Sequence, residues 1–222
     1  MIGMNKEEIP TSEILNDDEI IARILHGEKD LYSIIVRRYN QRLYRVGMSM
    51  INDDAEVEDA MQVAYINAYD NLAKFAFRSS FPTWLTRILI NECLLRLRKR
   101  KKSISMNDEN IENVMKQDKG PQTPVTVTVN SELRSILNDA IGKLPEIYRT
   151  VFIMREIENM NIAETKECLN ISEVNVKVRL NRAKALLRDI LSAQYSKDDI
   201  LHFHLSRCDR MVDTVMRSIS DI

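Results

Sequence analysis

Apolar residues recur every three or four positions along most of this chain, and that spacing predicts α-helices. The pattern is strongest in residues 79–102, SSFPTWLTRILINECLLRLRKRKK. One stripe of this segment, which we expect to face a core, consists of Leu85, Leu89, Cys93 and Leu97. Ser79 or Ser80 is suited to cap the helix. Pro82 fits the first turn because the N–H that proline lacks would be unpaired there.

The same helix changes character along its length. Its last seven residues, 96–102, include six cations. A second stripe combines an aromatic ring, two guanidinium groups and an amide, namely Trp84, Arg87, Asn91 and Arg98. Such side chains stack on bases and contact phosphates. The stripe therefore indicates a nucleic-acid surface, although a surface helix with a solvated basic end would show the same pattern.

Three further helices are predicted before this one, after a flexible lead-in at residues 1–16. The first spans residues 18–27, with Asp17 or Asp18 as its cap and Gly27 at its end. A long amphipathic helix follows, with apolar positions at Leu31, Ile34, Ile35, Tyr39, Leu43, Val46 and Met50. The third covers residues 55–75.

The third helix begins with a concentration of negative charge. Residues 52–59, NDDAEVED, contain five carboxylates, which are favourable in a first helical turn. One face of the helix presents Asp59, Gln62, Ile66 and Tyr69. Carboxylate, amide and aromatic groups together favour a docking surface for a protein partner. Simple capping followed by a solvated face is the alternative.

Helical periodicity is lost in residues 103–131, SISMNDENIENVMKQDKGPQTPVTVTVNS. This stretch contains two prolines and a Gly-Pro dipeptide, and its VTVTV segment alternates like a strand without an obvious partner. An unstructured connection of this length is uncommon inside one domain. We expect a flexible linker between one domain at residues 17–102 and a second at residues 132–194.

The second domain is also predicted to be helical. Its first stripe, which ends at Pro145, comprises Leu133, Ile136, Leu137, Ala140, Ile141 and Leu144. A helix at residues 146–157 follows, with Ile147, Val151 and Met154 expected to face inward.

Two short helices separated by three residues come next. Asn161 and Glu164 form a capping-box pattern, Asn170 tolerates the left-handed conformation of a helix end, and Ser172 can cap the next helix. That helix places Val176, Leu180, Ala183 and Leu187 inward, and Glu173, Asn175, Lys177, Val178, Arg179 and Arg182 outward. The arrangement predicts a helix-turn-helix, with an ordinary helical hairpin as the alternative.

Composition narrows the possible functions. Apolar residues make up 44% and charged residues 29% of the chain, which is typical of soluble proteins. The net charge of −1 excludes a uniformly basic surface, so nucleic-acid binding would need segregated patches. Cys93, Cys168 and Cys208 show no CxxC spacing, as expected of free thiols in the cytoplasm. We also expect no membrane insertion, because no apolar run approaches the ~20 residues of a span.

These segments, in their order and spacing, resemble the extracytoplasmic-function (ECF) group of bacterial RNA polymerase sigma factors, within the sigma-70 family. Asp59 to Gln62, Ala68-Tyr69 and Lys74-Phe75 are similar to the region that binds core polymerase. Phe81 to Leu85 and Arg87 to Asn91 are similar to the region that melts and reads the −10 promoter element. Leu144-Pro145, Ala163-Glu164 and Ser172 to Ala183 are similar to the helix-turn-helix that reads the −35 element.

The resemblance implies an all-α transcription initiation factor without catalytic residues. Its partners would be core RNA polymerase, promoter DNA in duplex and melted form, and an anti-sigma factor or other regulator. The implied polymerase contacts are Asp59, Gln62, Ile66 and Tyr69. The implied −10 contacts are Lys74, Arg78, Trp84, Arg87, Asn91, Arg96, Arg98, Lys99, Arg100 and Lys101. The implied −35 contacts are Ser172, Glu173, Asn175, Lys177, Val178, Arg179 and Arg182. We expect no cofactor and no metal site.

The chain departs from the family pattern at several positions, which bear on the promoter sequence rather than on the general function. Val63 follows Gln62 where the family usually has Glu, and Leu95 stands where Asp is usual. Thr165-Lys166 replaces an apolar-small pair, and Asn175 and Val178 replace residues that are often Thr and Ser.

Two other function classes fit less well. A stand-alone helix-turn-helix regulator would need neither the acidic docking helix nor Trp84. The chain has only three histidines, no glycine-rich phosphate loop and no convergent carboxylate pair, and these features disfavour an enzyme.

Residues 195–222 lie beyond the family resemblance. Their apolar positions follow a heptad spacing and predict an amphipathic helix that packs on a partner surface: Leu201, Leu205, Cys208, Val212, Val215 and Ile219. A metal site at His202, His204 and Cys208 is a weaker interpretation, because His202 points away from the other two and a fourth ligand is not evident.

Overall fold

A computed structural model describes residues 15–106 and 129–194, together with position 217, and the regular elements in these parts are all helical. The eight α-helices are α1 Asp17–Leu25, α2 Tyr32–Met50, α3 Asp54–Asp70, α4 Phe81–Met106, α5 Val129–Gly142, α6 Glu146–Phe152, α7 Ile162–Leu169 and α8 Glu173–Gln194. Short 3₁₀ turns span Lys29–Leu31 and Leu72–Lys74, and a π-helical segment spans Ile153–Ile157. The all-α prediction is confirmed.

Side chains cap the starts of α1, α3, α7 and α8, with one correction to the prediction. Asn16, rather than Asp17 or Asp18, caps α1, and its side chain accepts the Glu19 N–H at 2.8 Å. Asp17 is unavailable because its carboxylate binds Arg38 of α2 at 2.6 Å and the hydroxyl of Tyr39. The side chain of Asp17, one residue after the cap, is therefore used in a contact between helices rather than in capping.

Helices α1 to α4 enclose the larger core. The predicted stripe of α4 points into it, with Leu85, Leu89 and Cys93 fully buried and Leu97 partly buried. Helices α2 and α3 approach closely at Gly47, where a Cβ would stand 2.7 Å from a methyl carbon of Val57. A larger residue there would therefore require Val57 or one of the two helices to shift.

Helices α5 to α8 surround a smaller core that contains Leu144, Phe152 and Ala183. Helix α6 is buried through Thr150, Val151 and Phe152 because it packs between α2 and α8. Ile147, predicted to face inward, is instead 48% exposed in the first turn of α6. Leu137, also predicted to be inward, lies on the exposed side of α5.

Several predicted boundaries shift. Helix α4 continues to Met106 and α5 begins at Val129, so helix enters both ends of the predicted linker at residues 103–131. Helix α3 ends at Asp70 rather than Phe75, because the chain turns at Asn71 into a 3₁₀ turn. The lead-in before Leu15, most of the VTVTV segment, and the C-terminal heptad with His202, His204 and Cys208 lie outside the described residues.

The two helical units pack against each other. Met154, Met160 and Cys168, which belong to the second unit, are buried in the core of the first. Met154 faces inward as predicted, but the core in which it is buried is that of the first unit. The π-helical segment lies at this junction, between α6 and the loop that leads to α7.

Candidate nucleic-acid interface

The first half of α4 carries Trp84 in an aromatic cluster. Its half-buried ring lies 5.2 Å from the ring of Phe75 and 5.7 Å from that of Phe81, centroid to centroid. Arg87, one turn further along, is exposed, and its guanidinium lies 3.4 Å from the carboxylate of Glu167 on α7. Asn91 is exposed on the same side of the helix. The predicted stripe therefore exists, but its guanidinium at Arg87 already has an acidic partner.

The loop before α4 contains an aromatic residue that the sequence analysis did not single out. Phe77 is 57% exposed, packs at a tilt with its ring centroid 4.6 Å from that of Phe75, and adopts a left-handed backbone with φ of 54°. A bulky residue in this conformation is uncommon and carries strain. Lys74 and Arg78 flank it and are exposed, and the Lys74 ammonium donates to the Asn71 side chain at 2.9 Å. The signal available in the sequence was a second phenylalanine, two residues after Phe75, between two cations.

The cations at the basic end of α4 are of two kinds, those without an ion pair in the described structure and one that is paired. Arg98, Lys99, Arg100 and Lys101 are exposed and form no ion pair with any other residue that the structure describes. Arg96 instead binds the Glu92 carboxylate at 2.9 Å, one turn earlier on the same helix. The unpaired group concentrates positive charge in one turn of helix, where it can attract phosphates.

Helices α7 and α8 form the predicted helix-turn-helix. The capping box of Asn161 and Glu164 is present, Asn170 ends α7 with φ of 52°, and Ser172 accepts the Asn175 N–H at 3.2 Å. Helix α8 buries Val176 and Ala183 and leaves its first turns open.

The outward residues of α8 differ in their exposure and in whether they bind a neighbouring side chain. Asn175, Lys177 and Val178 are exposed, as is Val174, which the sequence analysis did not single out and which is 68% exposed. The Glu173 carboxylate binds Lys166 of α7 at 2.7 Å, and this hydrogen bond lowers the pKa of Glu173. Arg182 donates to the Tyr148 hydroxyl at 3.3 Å. Arg179, predicted to face outward, is only partly exposed.

The predicted docking residues share one face of α3. Asp59, Gln62 and Ile66 are exposed, while Tyr69 is half-buried with its ring 5.0 Å from that of Tyr32. A groove of about 540 Å³ runs beside them between α2 and α3, with Tyr44, Glu58 and Gln62 among its lining residues. Capping involves only Asp53, whose side chain accepts the Glu56 N–H at 2.9 Å. Asp54 and Glu56 lie in the first turn of α3, where negative charge is favourable, whereas Glu58 and Asp59 lie beyond it.

Within residues 15–106 and 129–194, no group of three or more His, Cys, Asp or Glu side chains could hold a metal ion. The helices in these ranges also include none that is long and apolar enough to cross a membrane.

Residues 35–103 match sigma-70 region 2, and residues 134–187 match sigma-70 region 4. The chain is 32% identical over 173 residues to the ECF RNA polymerase sigma factor SigW of Bacillus subtilis, a match that covers 76% of this chain and 92% of the relative. The chain belongs to the ECF sigma factors. Its role is therefore transcription initiation, and the family is not one of enzymes. The ECF RNA polymerase sigma-E factor of Haemophilus influenzae is 26% identical, over 80% of this chain and 96% of that relative.

Two solved structures share the fold. The sigma factor RpoE of Bartonella quintana, in complex with the anti-sigma factor NepR, aligns with a TM-score of 0.60 and 18% identity, over 74% of this chain and 98% of that one. CnrH, in complex with the cytosolic domain of CnrY, aligns with a TM-score of 0.57 and 23% identity, over 81% of this chain and 99% of that one. At these identities the likeness concerns the fold alone.

Proposed function

We propose that this sigma factor docks on core RNA polymerase through the outer face of α3, melts and reads the −10 element with a domain at residues 17–102, and reads the −35 element with a domain at residues 132–194. The observation that carries the proposal is the presence of two separate surfaces suited to DNA on one chain. One is the group of unpaired cations at the end of α4, and the other is the open start of α8.

The −10 function combines attraction and stacking. Arg98 to Lys101 neutralise phosphates and release counterions, which gives salt-dependent binding. Trp84 lies at the edge of the melted region and offers a stacking surface worth roughly 1–3 kcal/mol per base. The loop at residues 74–80 receives an extruded base, and Phe77 adds an exposed aromatic ring to it. Because base extrusion costs a few kcal/mol, the bound polymerase has to hold the assembly in place.

The −35 function uses α8 as a recognition helix in the major groove. Asn175, Lys177 and Arg179 reach base edges or phosphates, and Val178 contacts a thymine methyl group. Val174 lies one turn before Val178 and extends this apolar contact. Lys166 binds one oxygen of the Glu173 carboxylate, which leaves the other oxygen able to accept a hydrogen bond from a cytosine amine.

Polymerase docking uses Asp59, Gln62, Ile66 and Tyr69. These residues combine a charged rim with exposed apolar surface, as protein interfaces do. Val63 lies beside them where the family usually has Glu, so one polar contact is replaced by an apolar one. A cytoplasmic regulator of the anti-sigma type is a further proposed partner, since both similar structures were solved with such a protein or a partner domain bound.

The docking proposal is tested by co-purification of the full-length protein with core RNA polymerase. The variant Asp59→Lys with Gln62→Ala should lose most of this association, while the far-ultraviolet circular dichroism stays at the wild-type level. The matched control, Asp139→Lys with Asn138→Ala, makes the same charge reversal and a similar amide truncation on the exposed side of α5 and should bind normally. A parallel loss of helical signal and association in the docking variant would show that the α3 residues are structural.

Run-off transcription on genomic fragments with the reconstituted holoenzyme completes the test. The proposed function requires transcripts that start at specific positions and that depend on the sigma factor. Sequence-specific binding to duplex DNA without polymerase, together with no transcript, would instead favour a stand-alone regulator.

A further inference from the structure

The start of α8 exposes two valines on one line of the helix. Val174 is 68% exposed and Val178 is 40% exposed, and they lie one turn apart. At about 100° per residue, the two side chains are within about 40° of each other around the helix axis, so they form one apolar strip. Val176, between them in the sequence, points the opposite way and is fully buried. The valine strip is therefore a feature of the outer face and not of the core.

Polar and charged groups lie on both sides of the valine strip. By the same helical spacing, Lys177 lies about 60° to one side of Val174, and Asn175 lies about 60° to the other side of Val178. Both flanking residues are exposed. Residues 174–188 contain five cations and no carboxylate. This charge favours a polyanion such as duplex DNA as the occupant of the face, with the valines at the centre of the contact.

Local contacts fix the position of the strip. The Ser172 side chain accepts the Asn175 N–H at 3.2 Å and so caps the helix. The Glu173 carboxylate binds Lys166 at 2.7 Å, which ties the first turn of α8 to α7. Valine is β-branched and has one strongly preferred side-chain conformation in a helix. The strip is therefore preorganised, because little conformational freedom is lost when it meets a ligand.

The chemistry of the major groove identifies what such a strip selects. Thymine presents a C5 methyl group there, whereas the other groups by which the four bases are distinguished are hydrogen-bond donors and acceptors. A valine side chain forms no hydrogen bond and gains only from removing apolar surface from water. A donor or acceptor placed against it would lose water without gaining a partner, which is unfavourable. The strip therefore favours a methyl group over any other base edge.

The distance between the valines limits the spacing of the methyl groups. Four residues of α-helix rise by about 6 Å. Successive base pairs of B-form DNA are about 3.4 Å apart. Two methyl groups that contact the strip together therefore belong to adjacent base pairs, or to pairs with one base pair between them.

We infer that Val174 and Val178 read the C5 methyl groups of two closely spaced thymines in the −35 element, and that 5-methylcytosine replaces either thymine in this contact. Methylated cytosine carries its methyl group at the same ring position as thymine, so the strip does not distinguish the two pyrimidines by that group. The inference rests on the proposed −35 function of α8 and names what the helix selects there. Cytosine methylation at either position should therefore strengthen binding to a promoter that has cytosine in place of thymine.

The first experiment uses duplexes selected from a random pool by the full-length protein, with and without core RNA polymerase. Each thymine of the selected site is replaced singly by deoxyuridine, which lacks only the methyl group. We expect two closely spaced positions at which deoxyuridine weakens binding about fourfold, a factor that corresponds to about 0.8 kcal/mol for a buried methyl-sized group. Val178→Ala should remove most of the effect at one position, and Val174→Ala at the other. The control Leu137→Ala truncates an exposed apolar side chain on α5 and should retain both effects.

The second experiment separates the methyl group from the rest of the base pair. At each sensitive position the T·A pair is replaced by a C·G pair, with and without a 5-methyl group on the cytosine. We expect methylation to raise the affinity of the unmodified protein about fourfold, and to have little effect on the valine variant that is insensitive at that position. Methyl effects that persist in both valine variants would overturn the inference.

The outcomes distinguish the inference from the function on which it rests. A site that is bound specifically but is insensitive to every thymine methyl group overturns the inference and leaves −35 reading intact. If neither form of the protein selects a duplex, −35 reading itself fails, and the inference fails with it. Loss of polymerase association in the double variant Val174→Ala with Val178→Ala, without any methyl effect on DNA binding, would show that the strip contacts polymerase instead.

Discussion

Two helices of this sigma factor are proposed to face DNA, and they present their polar groups in different ways. At the end of α4, Arg98 to Lys101 are exposed and unpaired within the described structure. At the start of α8, Glu173 is held by Lys166, and Arg182 lies further along against Tyr148. Exposed, unpaired cations suit attraction to phosphates, whereas the start of α8 combines exposed polar groups, Asn175 and Lys177, with a carboxylate that a neighbour holds. We propose that the first surface provides affinity for DNA and that the second provides specificity.

The proposed DNA-facing groups in the first half of α4 differ from both of these surfaces. Trp84 packs against Phe75 and Phe81, and Arg87 faces Glu167 of α7. Both groups thus have partners within the protein, which distinguishes them from the unpaired cations at the end of α4.

The largest expected effect concerns the unpaired cations. Replacing Lys99, Arg100 and Lys101 with glutamine should lower the affinity of the holoenzyme for DNA by on the order of 10²-fold and reduce the salt slope by about three charges, because three phosphate contacts are lost. Binding to promoter fragments over a range of salt concentrations measures both quantities. The control replaces Arg23, Arg37 and Lys143, which are exposed elsewhere, and should leave the slope unchanged.

Removal of the Trp84 ring should act on melting rather than on attraction. Trp84→Ala should reduce open-complex formation by about tenfold or more while polymerase binding persists, since one stacking contact is worth roughly 1–3 kcal/mol. Permanganate reactivity of unpaired thymines reports the melted region. Trp84→Phe keeps an aromatic face and should recover much of the signal. If promoter DNA melts normally with Trp84→Ala, the ring contributes only to packing in the aromatic cluster.

Single substitutions in α4 and in α8 should differ most clearly in how their effect depends on the DNA sequence. Lys177→Ala or Arg179→Ala should cost roughly 1–3 kcal/mol at one promoter position, because a base contact is lost. Lys101→Ala should weaken binding evenly across sequences and reduce the salt slope by about one charge. Competition between promoter variants that differ at single −35 positions measures the difference. The same sequence dependence in both kinds of variant would contradict the division between affinity and specificity.

The smallest effect is expected at Arg96. This side chain is paired with Glu92 one turn away, and such helical pairs contribute only about 0.3–0.5 kcal/mol. Arg96→Ala should therefore change the midpoint of thermal unfolding only slightly and alter the salt slope less than Lys101→Ala. A slope change equal to that of Lys101→Ala would place Arg96 among the phosphate-binding cations despite its ion pair.

Features set by neighbours in the chain were predicted correctly from the sequence. The apolar stripe of α4, the capping box of Asn161 and Glu164, the left-handed Asn170 and the Ser172 cap all depend on residues within one or two turns. The same holds for the shared face of Asp59, Gln62 and Ile66 on α3. Helical periodicity and local hydrogen bonds determine such features, so the sequence pattern contains them directly.

Only the tertiary structure decided which of these groups are covered. Arg87 and Glu167 are 80 positions apart in the chain, and Arg45 and Glu158 are 113 positions apart. Neither pairing leaves a trace in local periodicity, because it depends on how two units, each with its own helical pattern, dock. The same docking placed Met154 in the neighbouring core. Burial, and with it the availability of a charge to DNA, is a property of the packed molecule, because water is removed from a side chain by whatever surface lies against it.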